Sequence, residues 1–315
     1  MQEKNRIIVI GAAIFDLMGF PDIDLINYDS VPGRVEMACG GVGRNIAENL
    51  HRLGWETGLI TVFGDDVFSE IMKQQAAKIG LDISYSCFLQ GRKGLSHLAI
   101  MDTKMNMING IADLASMKFL DPDFLKSKQS LMETAEVLVA ECNISESAFD
   151  YLLKYHSESC PVFLDPVSGP MAVKLKNRLT GIHTIKANLL EAEAIYGAPI
   201  CNDKDLDLAA NFFLKKGLRQ IIITLGSEGV FYSDGKKSGN RKAPAVKVAN
   251  TTGAGDAMMA GLVHGYLEGR SLEETVAFGM ACAEITIMDV LPVTPTMSKE
   301  KVLESLRLKK ENKVR

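Results

Sequence analysis

The segment Asn250-Thr251-Thr252-Gly253-Ala254-Gly255-Asp256 runs straight into the apolar stretch AMMAGLVHGYL. A helix that is apolar nearly all round is buried, and a Gly-Ala-Gly turn at its start leaves backbone N–H groups free. Those groups and the helix dipole form an anion site, and glycine lets a phosphate approach the backbone closely. Asp256 puts a carboxylate beside that site. A carboxylate repels bound phosphate, so its placement suits a general base that takes a proton from an attacking hydroxyl. The plainer alternative is a first-turn Asp with glycines for packing.

A second segment, Gly40-Gly41-Val42-Gly43-Arg44-Asn45, opens a helix whose Val42, Ile46, Leu50 and Leu53 form one apolar stripe. Asn45 lies at the edge of that stripe and Asn49 inside it. Buried amides need partners: either one of them faces a polar ligand over the Gly-Gly turn, or both are satisfied core residues. No G-x-x-x-x-G-K-[ST] occurs, and the third glycine of a dinucleotide fingerprint is missing.

Three more candidates fall at expected C-terminal ends of strands, the edge where open α/β sheets bind ligands. Asp16 follows the first strand, Asn188 and Glu191 follow Ile185-Lys186, and Thr224, Gly226 and Gly229 follow strand 220–224. Asn188-x-x-Glu191 also has the spacing of a helix capping box, and the two glycines suit a hairpin turn. Asp165-Pro166 is most simply a strand-end turn.

The elements that must hold these residues alternate along the chain. Strands are expected at Ile7–Ile10, Gly58–Phe63, Glu136–Ala140, Val162–Leu164, His183–Lys186, Gln220–Thr224 and Val230–Ser233. Helices are expected at Val42–Leu53, Asp66–Ile79, Ser145–Tyr155, Asn188–Tyr196 and Asp203–Lys216, with two more across Asp256–Asp289. This order argues an α/β fold with a mostly parallel sheet covered on both faces. Residues 17–39 and 91–112 break the rhythm, and the second reads as a hairpin turning near Asp102-Thr103-Lys104. Together they suggest a small β-lid built from two insertions. Ser96 and His97 on that hairpin are candidates to touch a ligand, while Met101, Met105 and Met107 suit lid packing.

Composition narrows the function classes. The 315 residues carry 35 basic and 39 acidic side chains, so no basic face suggests a nucleic-acid partner. The one basic cluster, Lys309-Lys310 to Arg315, reads as a solvated tail. Six cysteines without a C-x-x-C pair and five histidines without H-x-x-x-H argue against a zinc site and suit reduced thiols in the cytoplasm. The N-terminal apolar run before Gly11 is too short for a signal-peptide core. No apolar run reaches membrane-spanning length.

Taken together and in order, these pieces resemble the ribokinase-like (PfkB) sugar and nucleoside kinases across nearly the whole chain. Gly40-Gly41…Asn45 looks like that family's first signature and Thr252-Gly253-Ala254-Gly255-Asp256 its second. The resemblance implies one kinase domain over 1–315, a three-layer α/β/α sandwich carrying the β-lid. It implies sugar hydroxyls held by Asp16 and Asn45 beside Gly40 and Gly41, an anion hole at Gly253–Asp256, and Asp256 as catalytic base. Asn188, Glu191, Thr224, Gly226, Gly229 and Thr252 fall on the ATP side, with Mg²⁺ organised by Asn188 and Glu191 through water. K⁺ dependence is left open. The resemblance also implies a homodimer formed through the lid, with a small nucleoside or sugar as the partner molecule and neither nucleic acid nor membrane. Ala187 stands where relatives often have Pro, and Ile14 where ribokinases carry a polar sugar-binding residue, which argues against free ribose.

Within the family, GGVGRNIAENLHRLG (40–54), ECNIS (141–145), DPVS (165–168) and NTTGAGDAMMAGL (250–262) are most similar to bacterial pseudouridine kinases. That likeness implies phosphorylation of the 5′-hydroxyl of pseudouridine, and it puts Glu141 at the substrate. The alternatives are a kinase for another nucleoside or for ribose, fructose or a sugar phosphate, and a non-catalytic sugar-binding regulator on the same fold. Asp256 argues against the regulator.

Overall fold

In the computed structural model, residues 6–314 are described, with side chains through Lys309. The N-terminal residues ahead of Arg6 and the side chains of the basic tail past Lys309 lie outside the described residues.

The central sheet contains β1 (Arg6–Ile10), β4 (Glu56–Ile60), β9 (Ala135–Glu141), β10 (Val162–Asp165), β11 (Thr184–Asn188), β12 (Gln220–Thr224), β13 (Val230–Ser233) and β14 (Ser238–Arg241). Its order is β14-β13-β12-β11-β10-β9-β1-β4. All pairs from β4 to β12 are parallel, and β13 and β14 add an antiparallel edge. β1 shows why the sheet is central. Ile7 and Val9 join the core on one face and Ile8 and Ile10 the core on the other, because successive side chains alternate. A strand apolar on both faces is stable only between two layers.

Helices Val42–Arg52, Ala254–Leu267 and Leu272–Ile287 cover one face, and Glu146–His156, Leu189–Tyr196 and Asp203–Lys215 the other. The result is the expected α/β/α sandwich. Strand order reverses at β1, flanked by β4 and β9, which opens a crevice beyond the C-terminal ends of β1 and β9.

A second sheet forms the lid, in the order β3-β2-β7-β8, from β2 (Ile14–Pro21), β3 (Gly33–Gly40), β7 (Leu95–Met101) and β8 (Met107–Asp113). Both insertions contribute a hairpin, and β2 pairs with β7 to join them.

Several expectations are corrected. Gly58–Phe63 is not one strand: β4 stops at Ile60, and β5 (Val62–Phe63) pairs with β6 (Cys87–Phe88). At Thr61 the chain leaves the sheet, its hydroxyl accepting the Ala13 N–H and its own N–H donating to Ser86. Asp16 sits inside lid strand β2, two residues beyond its start. Met105 and Met107 are exposed and fill no lid core. Lys309 belongs to helix Lys299–Val314 and pairs with Glu284, so the tail is helical there. β14 carries no alternating apolar signal and was not expected from SGNR.

Candidate active site

Helix Ala254–Leu267 begins on Gly253, whose φ of 81° is left-handed. A Cβ there would stand 1.9 Å from the Pro292 carbonyl oxygen, so only glycine fits. No side chain caps this helix. The Ala254 N–H reaches Thr251 at a long 3.4 Å, and among the described residues the Gly255 and Asp256 N–H groups have no acceptor. Orphan donors at a helix start are what an anion binds. The turn itself is held from behind. Asn250 accepts the Thr252 N–H at 2.9 Å and donates to Val290 at 2.9 Å.

Asp256 is buried at this turn. Burial raises its carboxyl to about 7, with the Asp165 charge adding to the rise, while Lys186, Asn45 and Arg44 oppose it. A general base near the working pH balances ionisation against proton affinity. Only the ionised form accepts a proton, so kcat/KM should fall as the pH drops below about 7 and level off above it. Steady-state rates between about pH 5 and about pH 9 check this, and a profile flat through 7 contradicts it.

Asn45 donates to Asp256 Oδ2 at 2.8 Å. Its carbonyl oxygen accepts from Arg44 at 2.9 Å, which fixes which way the amide faces. Arg44 is buried, also donates to the Cys39 carbonyl at 3.0 Å, and is paired with Glu48. Asn49 instead donates to the Asn45 carbonyl within its own helix, so it is the core amide and Asn45 the site amide. Gly40 lies against Asp16: a Cβ at Gly40 would stand 2.0 Å from Asp16 Oδ2. The first glycine segment therefore lets the lid carboxylate approach the helix start.

On the lid, Asp16 and His97 are register partners, with Nδ1 and Oδ1 3.2 Å apart. Burial raises the Asp16 carboxyl, and His97 and Arg44 oppose that rise. Ser96 is the partner of Phe15, so it occupies the opposite face from Asp16 and His97. Its expected contact with a ligand beside Asp16 is corrected on that ground. Glu141 is corrected too. It is wholly buried, and its oxygens accept the Ala12 N–H at 2.6 Å and the Asn143 N–H at 2.8 Å. It ties the end of β9 to the turn after β1 and presents no surface to a substrate.

Asn188 and Glu191 form a complete capping box. Asn188 accepts the Glu191 N–H at 2.9 Å, and Glu191 accepts the Asn188 N–H and side-chain amide, both at 2.8 Å. The capping alternative is therefore real geometry. It does not exhaust Glu191, whose carboxylate is buried near the Asp165 charge, and both effects raise its pKa. In Glu191→Gln, a cap retained and a carboxylate lost should leave the melting temperature within a few degrees and lower kcat about tenfold or more. Unchanged kinetics over a Mg²⁺ titration would confine Glu191 to the cap.

Leu225 donates to the Gly229 carbonyl at 2.8 Å, closing the hairpin turn that contains Gly226. That turn borders a cleft of about 700 Å³. Val246, Met258, Met280 and Ile287 give it apolar lining, and Thr224, Ala254 and Gly255 also line it. A flat apolar group can lie there with an attached anion on the turn.

Sequence reasoning missed three charged residues here, Asp165, Lys186 and Arg44. Asp165 is more than a turn residue: its Oδ2 lies 2.5 Å from Lys186 Nζ, both buried. The available signal was a charge at the end of one apolar strand and another inside the apolar strand beside it, where burial is expected. Arg44 was quoted within its motif without a role.

The profile of the pfkB family carbohydrate kinases matches residues 4–298. The chain belongs to the PfkB family. Pseudouridine kinase of Escherichia coli strain K12 is 34% identical over 299 residues, 95% of each chain. An uncharacterised sugar kinase of the same strain is 34% identical over 306 residues, covering 96% of this chain and 84% of that protein. The structure of Arabidopsis thaliana ribokinase complexed with ribose and ATP matches with a TM-score of 0.83 over 95% of this chain and 98% of that one. At 21% identity it shows the ribokinase fold. This PfkB protein is thus a phosphotransferase that acts on a hydroxyl group, with a small sugar or nucleoside as its substrate class. No helix among the described residues is long and apolar enough to cross a membrane.

Proposed function

We propose that this PfkB kinase transfers the γ-phosphate of ATP to the 5′-hydroxyl of pseudouridine. The observation that carries the reading is the anion turn at Gly253–Asp256, with an apolar cleft on one side and Asp16, Asn45 and Asp256 gathered on the other. The likeness to pseudouridine kinase over 95% of the chain supports the acceptor.

In this reading the adenine lies in the cleft and the phosphates run to the turn. Asp16 and Asn45 hold ribose hydroxyls so that O5′ faces the γ-phosphate. Asp256 takes the O5′ proton, and the Gly253–Asp256 amides stabilise charge on the transferred group. Mg²⁺ suits the oxygen donors of Asn188 and Glu191, which would hold it through water. When bound, the metal would supply charge neutralisation for the phosphates. The whole chain acts as one kinase domain, with residues 17–39 and 91–112 closing over the sugar. The outward apolar lid face, with Val35, Met37, Leu98 and Ile111 exposed, supports a homodimer through the lid. Free cysteines throughout the described residues suit a cytoplasmic enzyme.

The test is ADP release with pseudouridine, uridine, adenosine, ribose and fructose side by side. Pseudouridine should give the highest kcat/KM. The uncharacterised sugar kinase is as similar as pseudouridine kinase, so a sugar acceptor is the competing outcome. Equal or higher efficiency on ribose or fructose overturns the proposal. Asp16→Ala and Asn45→Ala should each raise the acceptor KM and cut kcat/KM by about tenfold or more, with ATP affinity kept. Loss of ATP affinity equal to the loss of acceptor affinity would put these residues on the wrong side of the transferred group.

A further inference from the structure

Lys186 is a buried lysine on β11 between two apolar neighbours, Ile185 and Ala187. Lysine is rarely buried without a task for its charge. Its ammonium lies 2.5 Å from Asp165 Oδ2. The other Asp165 oxygen is taken by the Val167 N–H at 2.8 Å. An ammonium has three N–H donors, and among the described residues Asp165 is its only close partner. The remaining N–H donors have no acceptor among the described residues and are open to a bound group.

Their direction is given by Gly255. A Cβ at that glycine would stand 2.7 Å from Lys186 Nζ. The ammonium thus lies directly against the anion turn, at a point where the turn has no side chain to shield it. Three buried carboxylates, Asp165, Asp256 and Glu191, act on this one cation. Ordinary counter-ion duty to Asp165 accounts neither for the remaining donors nor for the contact with Gly255. A buried pair by itself is also weak support for stability.

Resting on the reading of Gly253–Asp256 as the phosphoryl site, we infer that Lys186 is a further catalytic residue, whose ammonium binds the oxygens of the phosphoryl group in transit. The acceptor oxygen forms the new bond to phosphorus, and the bond from phosphorus to the ADP oxygen breaks. Asp256 receives the acceptor's proton. Lys186 neither gains nor loses a proton; it offsets the charge spread over the transferred oxygens, with Asp165 holding the ammonium in place.

Lys186→Met should lower kcat by about 10²–10³-fold, the range for removing one charge-stabilising donor. The acceptor KM should stay within about threefold, because the interaction belongs to the transition state. Lys186→Met also leaves Asp165 buried without its counter-charge, which by itself can unfold a protein. The paired variant Asp165→Asn with Lys186→Met removes both charges and decides the case. If Lys186 serves only to neutralise Asp165, the paired variant recovers activity to within about tenfold of the parent. If Lys186 acts on the phosphoryl group, the paired variant folds with a normal melting curve and stays about 10²–10³-fold slow. Recovery overturns the inference. The parent enzyme's rate, measured alongside, keeps the two readings apart: an inactive parent on every acceptor sinks the kinase reading, whereas an active parent with an active paired variant sinks only the role of Lys186.

Discussion

Asp256→Asn should lower kcat by about 10²–10⁴-fold while ATP still binds, the range for losing a general base. That corresponds to about 2.7–5.4 kcal/mol of barrier, at about 1.36 kcal/mol per tenfold. An amide keeps the volume and can still accept the Asn45 hydrogen bond, which measures 2.8 Å in the parent. It cannot take the proton of a hydroxyl. The glycine amides of the turn are untouched, so nucleotide affinity should hold or tighten as a negative charge leaves.

Stability offers an independent signature. On folding, the Asp256 carboxyl rises from 3.8 to about 7, chiefly through burial. A folded state that favours the protonated form has that contribution in full below 3.8 and loses it as the pH climbs through about 7. The amide variant has no such loss, so above pH 7 its melting temperature should equal or exceed that of the parent. Turnover within about threefold of the parent, with folding intact, would remove Asp256 from the base role.

Gly253→Ala should be the most damaging substitution in the turn that leaves every charge in place. An alanine at a φ of 81° costs about 1–2 kcal/mol in backbone strain alone. Its Cβ would also stand 1.9 Å from the Pro292 oxygen, so the turn or the Pro292 segment must move. A shift of about 1 Å at a reacting centre can cost on the order of 10²-fold. We therefore expect kcat to fall by about 10²-fold or more, together with weaker ATP binding. Gly269→Ala is the control. It shares the left-handed backbone, with a φ of 67°, but a Cβ there meets nothing within 4 Å. It should lower the melting temperature and leave kcat nearly unchanged. Equal kinetic damage in both variants would mean that backbone strain, and not the geometry of the anion turn, is what matters.

Much of the architecture was legible because its causes are local. A run such as Ile7-Ile8-Val9-Ile10 has no polar face to turn to water, so it must lie inside a covered parallel sheet. Gly253 with Asp256 announces a tight helix start with a carboxylate on its first turn, and the structure has both. Lid hairpins were legible from the break in helical period, and the Asn188–Glu191 box from its spacing.

What escaped was decided by partners far along the chain. Asn45 and Asp256 are 211 positions apart, and nothing in either segment names the other. Arg44 had no visible task until folding set its guanidinium against the Asn45 amide. Asp165 ends β10 and Lys186 lies inside β11, and only the adjacency of the two strands joins their charges. Ser96 and His97 are neighbours in sequence, yet the pairing of β2 with β7 sends just one of them to the face of Asp16. Glu141 carries the chemistry of a ligand-binding carboxylate, but two backbone N–H groups claim its oxygens in the core. Period, turn chemistry and composition fix what a segment does by itself. Which buried charge meets which, and which side chain faces the cleft, depends on strand order and register, and those exist only once the sheets have assembled.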